Sequence, residues 1–229
     1  MMNDRSTPLD SVSSVDPVLM DACVLSVNVG AVREVEWRGE AVRTGIWKEP
    51  VLGRSVALHG VNLDGDDQAD RTVHGGIDKA VYAYAGEDYL FWRDKEGFAT
   101  PPGLFGENLT VGGMDLRAAL VGERWRVGSA LLEVAQPRLP CFKLGIRMGD
   151  AQFPKRFQSA GRLGAYLRII EAGEVRAADT VRVISRPGHG VTLRLMAESL
   201  RDREKTAALL AAPGLPPFWQ RVAMGQRES

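Results

Sequence analysis

Between residues 23 and 184 the chain is built from short apolar stretches that alternate with polar positions, and this period of two predicts strands. Cys23–Val29 is a β-branched, apolar run ended by Gly30. Arg33–Trp37 and Ala41–Trp47 read as two further strands, split by the turn residues Arg38 and Gly39. Ser55–Leu63 is another, with Val56 and Leu58 alternating with polar neighbours ahead of His59 and Gly60. An acidic loop over 64–70 and a glycine-rich turn at His74, Gly75 and Gly76 follow. Ala80–Ala85 alternates small and aromatic residues as a strand does. Glu87–Glu96 predicts a helix whose apolar side carries Tyr89, Phe91 and Trp92. Leu131–Ala135, Leu163–Ile170 and Thr180–Ile184 predict three more strands. Many short strands, turn signals between them and few helices give an α+β, β-rich fold, a curled mixed sheet or barrel.

From Thr192 the period changes. Leu193, Leu195, Met196 and Leu200 fall at helical spacing behind Thr192, which suits an N-cap. Lys205–Ala212 is rich in Ala and Leu and is stopped by Pro213 and Gly214, and Pro217–Met224 fits a third short helix with proline in its first turn. The boundary falls at Arg186–Gly190, giving a β-rich domain over 21–187 and a small helical domain of three helices over 188–229. Residues 1–20 carry Asp4, Asp10 and Asp16 among Ser, Thr and Pro and read as a disordered leader, without the apolar segment of an export signal. No apolar run approaches the ~18 residues of a bilayer span. The expectation is a cytoplasmic protein with no membrane partner.

Composition narrows the field further. The 229 residues, 45% of them hydrophobic, suffice for one large domain with a core of its own. The 29 Lys and Arg balance 29 Asp and Glu, so net charge gives no reason to expect nucleic acid as a partner. The two cysteines, Cys23 and Cys141, are too few to ligate an iron–sulfur cluster alone. There is no phosphate loop ending in Gly-Lys-Ser/Thr, no dinucleotide fingerprint and no nucleophile elbow. His59, His74 and His189 share no zinc-ligand spacing, and the loop 64–70 lacks the glycine and the glutamate of a calcium loop.

The segment Gln136–Lys143 carries the most chemistry. Cys141 follows Pro140 directly, on a turn made rigid by proline, and is flanked by Arg138 and Lys143. Nearby positive charge favours the thiolate, the form that binds metals or attacks electrophiles. A buried structural cysteine is the other reading of the same residues. From Arg138 to Arg168 there are seven basic residues against the single acid Asp150. That excess of six on a neutral chain reads either as a site for an anion such as phosphate or as a solvated basic face.

Four segments together resemble the MOSC family, named for the C-terminal domain of molybdenum-cofactor sulfurases. They are His74-Gly-Gly with Asp78, Lys79 and Tyr84; Gly65 to Asp70; Phe105-Gly-Glu-Asn-Leu-Thr110; and Gln136-Pro-Arg with Pro140, Cys141 and Lys143. The likeness covers residues 23–224 and is strongest to the stand-alone, YiiM-like branch, in which a small three-helix domain follows the MOSC domain. It implies a molybdenum cofactor, Mo-molybdopterin, with Cys141 as the protein ligand to the metal. Lys48 and Arg54 resemble the family's basic active-site residues. His74, Asp78, Lys79, Asn108, Thr110, Arg138 and Arg162 fall to the cofactor or the pocket, while Cys23 matches no family motif and reads as core. The implied reaction is reduction of small N-hydroxylated compounds such as N-hydroxylated purine bases: oxygen leaves the N–OH to give the amine. No flavin, haem or iron–sulfur motif is present, so electrons would come from a separate, flavin-type reductase. A homodimer is implied by the resemblance as well. A cofactor carrier or sulfur-transfer protein using Cys141 without substrate turnover is the rival reading.

Overall fold

A computed structural model describes residues 22–69 and 75–226. The leader 1–20 and His74 lie outside the described residues. In chain order the strands and helices are β1 (Cys23–Val29), β2 (Arg33–Trp37), β3 (Glu40–Thr44), β4 (Glu49–Pro50), β5 (Val56–His59), β6 (Asn62–Leu63), β7 (Val81–Ala85), α1 (Gly86–Glu96), β8 (Leu109–Gly112), β9 (Arg124–Val127), β10 (Ala130–Pro137), α2 (Phe142–Met148), α3 (Phe153–Ala160), β11 (Ala165–Glu171), β12 (Gly173–Val175), β13 (Val181–Ser185), α4 (Leu193–Ser199) and α5 (Pro217–Ala223).

Eight strands form one mixed sheet in the order β13-β9-β10-β11-β7-β8-β1-β4, in which only the β7–β8 pair is parallel. The sheet curls until β13 meets the start of β1: the Val24 amide donates to the Asp179 carbonyl at 2.8 Å and the Val181 amide to the Ala22 carbonyl at 2.7 Å. This is the curled, β-rich α+β fold that the alternating pattern predicts, and it hides most of its edge backbone. Every residue of β7 is buried, as befits a strand covered on both faces.

Two packed cores flank that central strand. The larger contains Val81, Val111, Trp125, Leu132 and Leu167 from the sheet together with Leu193, Met196, Leu209, Trp219 and Val222 from the last forty residues. The helical segment therefore shares one core with the sheet. The second core is aromatic: Tyr84, Tyr89, Trp92, Phe105, Phe153 and Phe157 pack together. Trp92 stacks on Phe157 at 5.6 Å, and its indole N–H donates to the Tyr84 hydroxyl at 2.8 Å.

Several local expectations need correction. The strand expected over 41–47 stops at Thr44, because 45–48 leaves the hairpin to form a wall of the cleft described below. The strand expected over 55–63 is a hairpin, broken at Gly60 in the left-handed region (φ 60°). Lys205–Ala212 holds the short 3-10 turn Ala207–Ala211, preceded by another at Arg203–Lys205, rather than one α-helix. Helices α2 and α3 fall where the sequence reading placed none. Cys141 is the N-cap residue of α2, in extended conformation, with Pro140 immediately before it.

Candidate functional site

The sheet and its loops leave a cleft lined by Thr44–Ile46, Lys48, Asp66–Ala69, Lys79, Tyr82, Gly106, Asn108, Arg138, Cys141, Lys143 and Tyr166. Six separate stretches of sequence meet there. Strand β10 delivers Arg138 just past its end, and α2 starts at Cys141, so the thiol sits half-buried at the mouth of a helix N-terminus. Lys79 comes from the short 3-10 turn Ile77–Lys79. Its ammonium pKa is lowered by burial, against the opposing pull of Asp78 and the Cys141 sulfur. Lys79 and Cys141 line the same cleft, which sets a positive charge near the sulfur.

Arg138 forms the wall beside the thiol. Its guanidinium lies 5.2 Å from the Tyr82 ring centroid and 5.7 Å from that of Phe157, and only 6% of the residue is exposed. Its Nη1 is buried with no hydrogen-bond partner among the described residues. A buried charged donor left without an acceptor costs free energy on the order of 1–3 kcal/mol or more. The wall is therefore built to receive an acceptor from outside the chain.

Across the cleft, Lys48 is buried and its Nζ pairs with Asp66 Oδ1. Burial lowers the Lys48 pKa, and Asp66, Glu107 and Asp67 oppose the shift. Asp66 is held from three sides. Its Oδ1 accepts from the Gly30 amide at 3.0 Å, its Oδ2 accepts from Asn108 Nδ2 at 2.9 Å, and its carbonyl accepts from Asn62 Nδ2 at 2.7 Å. Asn108 in turn accepts from the Tyr82 amide at 3.0 Å. Beneath this pair Glu107 is fully buried and accepts from Tyr89 Oη (2.6 Å), Gly103 N (2.7 Å) and Thr110 Oγ1 (2.9 Å). Burial raises its pKa, and these donors work in the opposite direction.

Of the expected site residues, Lys48, Lys79, Asn108, Arg138 and Cys141 meet in this one cleft. Thr110 sits a layer below, bound to Glu107 and to Asn28. Asp78 faces away and accepts from Arg168 Nε at 2.7 Å, supporting the turn that carries Lys79. Arg54 is exposed and lines a neighbouring groove with Arg33 and Trp47. Arg162 lies over the Phe91 ring and pairs with Asp88, away from the thiol. Nor does the basic stretch 138–168 act as one patch. Arg156 is paired with Glu96 and Asp150, and Arg168 with Asp78 and Glu133, which leaves Arg138 and Lys143 in the cleft. Asp66, Tyr82, Glu107 and Tyr166 are not among the expected site residues, although the first three lie inside the segments that carry the family resemblance.

Among the described residues no group of three or more His, Cys, Asp or Glu side chains could hold a metal ion. A metal here would bring ligands of its own and ask the chain for one thiolate. The residues present fit a cofactor of that kind: a thiol in reach of Lys79, a buried Arg138 donor in want of an acceptor, and Lys143 at the rim. No helix among the described residues is long and apolar enough to cross a membrane.

Residues 70–182 match the MOSC domain model. The chain is 32% identical over 209 residues to the uncharacterized protein YflK of Bacillus subtilis, covering 90% of this chain and 94% of that one. It is 33% identical to protein YiiM of Escherichia coli, over 76% of this chain and 80% of the other. A protein named Reductase from Gibberella moniliformis is 30% identical over 92% of this chain, which spans 38% of that longer protein. The crystal structure of YiiM from Geobacillus stearothermophilus superposes with a TM-score of 0.72 at 25% identity, covering 89% of this chain and 98% of the other.

Proposed function

Since the chain belongs to the MOSC family, in its YiiM-like branch, we propose that it is a molybdenum-cofactor-dependent reductase of N-hydroxylated compounds such as N-hydroxylated purine bases. The observation that carries this reading is the meeting, in one cleft, of the Cys141 thiol, the unsatisfied Arg138 donor and the buried Lys48–Asp66 pair. The relative named Reductase supports the oxidoreductase class.

Cys141 holds the metal, because a single soft thiolate beside cationic groups is the ligand this cleft offers. Arg138, Lys79 and Lys143 complement the negative charge of the cofactor, and Arg138 Nη1 gains the acceptor it lacks. A bound cofactor would supply the two electrons that reduction of the N–OH group needs. The change from N–OH to N–H and water takes up two protons with those electrons, and Lys48 is placed to give one of them: burial makes its ammonium a stronger acid than an exposed lysine, and Asp66 and Asn108 keep Nζ in place. The aromatic wall of Tyr82 and Tyr166, with ring centroids 5.2 Å apart, suits a flat heteroaromatic substrate. Electrons come from a separate reductase, in the cytoplasm, and the working form is a homodimer.

A carrier or sulfur-transfer protein would need Cys141 but would have no use for the Lys48–Asp66 pair. The test is reduction of N-hydroxyadenine by protein carrying its cofactor. Turnover is expected with an artificial reductant and not with NADH or NADPH alone. Turnover with NADPH and no partner contradicts the separate donor, and no turnover with any reductant favours the carrier.

A further inference from the structure

The wall segment 45–48 alternates its side chains. Ile46 and Lys48 turn into the cleft, while Trp47 turns outward into the neighbouring groove lined by Gly30, Arg33, Glu49 and Arg54. Over that indole lie two guanidiniums: Arg33 Cζ is 4.2 Å from the ring centroid and Arg147 Cζ is 5.6 Å from it. Stacking one arginine on tryptophan is favourable, but gathering two on one ring sets like charges against each other. Neither forms an ion pair with a carboxylate among the described residues. Arg147 also has a buried Nε with no hydrogen-bond partner there. Glu49 is within electrostatic reach of Arg147 and makes no ion pair with it. Burial and the charge of Arg33 lower the Arg147 pKa, so the pair repels.

We propose that Arg33 and Arg147, set over Trp47, form an anion subsite that takes a phosphate group beside the cleft. The indole fixes the guanidinium planes, leaving their N–H edges to grip phosphate oxygens in the two-pronged manner arginine favours. An incoming phosphate would relieve the repulsion that Arg33 exerts on Arg147. Arg54, on the same groove, adds further positive potential. Two sources have this chemistry: the phosphate of the pterin cofactor, and a phosphate on the substrate, which would make the substrate class N-hydroxylated nucleotides. The second source rests on the function proposed above.

The test begins with calorimetric titration of the purified protein with inorganic phosphate, comparing wild type with Arg33→Gln, Arg147→Gln and the double variant. Each single change is expected to weaken phosphate binding about tenfold, the loss of one charge-assisted contact. Molybdenum content and the kcat/KM ratio of N-hydroxyadenosine monophosphate to N-hydroxyadenine are then measured in the double variant. Lost molybdenum identifies the cofactor's phosphate. Retained molybdenum with a ratio reduced about tenfold or more identifies the substrate's. Wild-type phosphate affinity in the double variant overturns the subsite, even where thermal stability falls, and so does a double variant with both molybdenum and ratio unchanged. Should the wild type prove to hold no molybdenum and reduce nothing, the proposed function fails while the phosphate titration still decides the subsite.

Discussion

The indole Nε1 of Trp219 donates to Oε1 of Gln136 across 2.9 Å, joining the last helix to the strand that leads into Cys141. Gln136 Nε2 donates onward to the Asp78 carbonyl at 3.2 Å, at the turn that carries Lys79. The terminal helices thus brace the cleft from behind. Trp219→Phe removes the N–H with the pyrrole part of the ring, leaving a buried acceptor unpaired and a small void, a loss of at least about 1–3 kcal/mol. Trp219→Ala adds a cavity and costs about 3–5 kcal/mol. Urea denaturation checks both values. Because helices and sheet share one core, helical and aromatic signals should unfold in a single transition.

Lys48 and Asp66 should behave as a coupled pair. Asp66→Asn leaves a buried ammonium without its counter-charge and is expected to cost about 3–5 kcal/mol. Lys48→Met costs less, because the Asp66 carboxylate keeps the Gly30 and Asn108 donors. The double variant should be far less destabilised than the sum of the two. Additive losses in a double-mutant cycle would show that the two charges do not interact.

Alkaline pH gives a signed prediction. The folded-state pKa values of Lys48 and Lys79 lie below their ordinary value of 10.5. Between the lowered values and 10.5 the unfolded chain therefore binds more protons than the folded one, and stability rises with pH across that window. Lys79→Met should flatten part of this rise in urea midpoints measured through the alkaline range. A wild type that loses stability steadily at pH values below 10.0, the ordinary tyrosine value above which the raised Tyr82, Tyr84, Tyr89 and Tyr166 oppose the trend, would contradict the lowered values.

Gly106 approaches the Lys48 wall in the left-handed region, with φ 81°, and a β-carbon there would lie 2.8 Å from Ile46 Cγ1. Gly106→Ala combines backbone strain with a steric push and is expected to cost about 1–3 kcal/mol. Substrate turnover should fall with it, because Ile46 and Lys48 share that wall. Unchanged stability on urea denaturation would remove the steric argument.

Much of this architecture is legible in the sequence, and the exceptions have physical causes. Alternation located β1, β7 and β10 because each buries one or both faces against a core, and it located β13 although Val181 alone of that strand is buried. It missed α2 and α3, which are seven and eight residues long and end in left-handed glycines. Gly145 obscures α2 further: its missing β-carbon makes room for the Asp150 carbonyl, a tertiary reason that helix propensity opposes. Cys141 and Arg138 were legible as a thiol between cations. Summing charge over 138–168 was misleading, since pairing with Glu96, Asp78, Glu133 and Asp88 depends on residues tens of positions away. Asp66 reads as one acid among several in a loop until folding sets it on Lys48 and Asn108.

The most direct test is metal analysis of protein freshly purified from a host that makes the molybdenum cofactor, with Cys141→Ala prepared alongside. Near-stoichiometric molybdenum and pterin fluorescence in the wild type, both lost in Cys141→Ala while its unfolding curve stays close to wild type, is the expected result. Equal molybdenum in the two proteins would contradict Cys141 as the ligand, and none in the wild type after reconstitution with cofactor would contradict the cofactor itself.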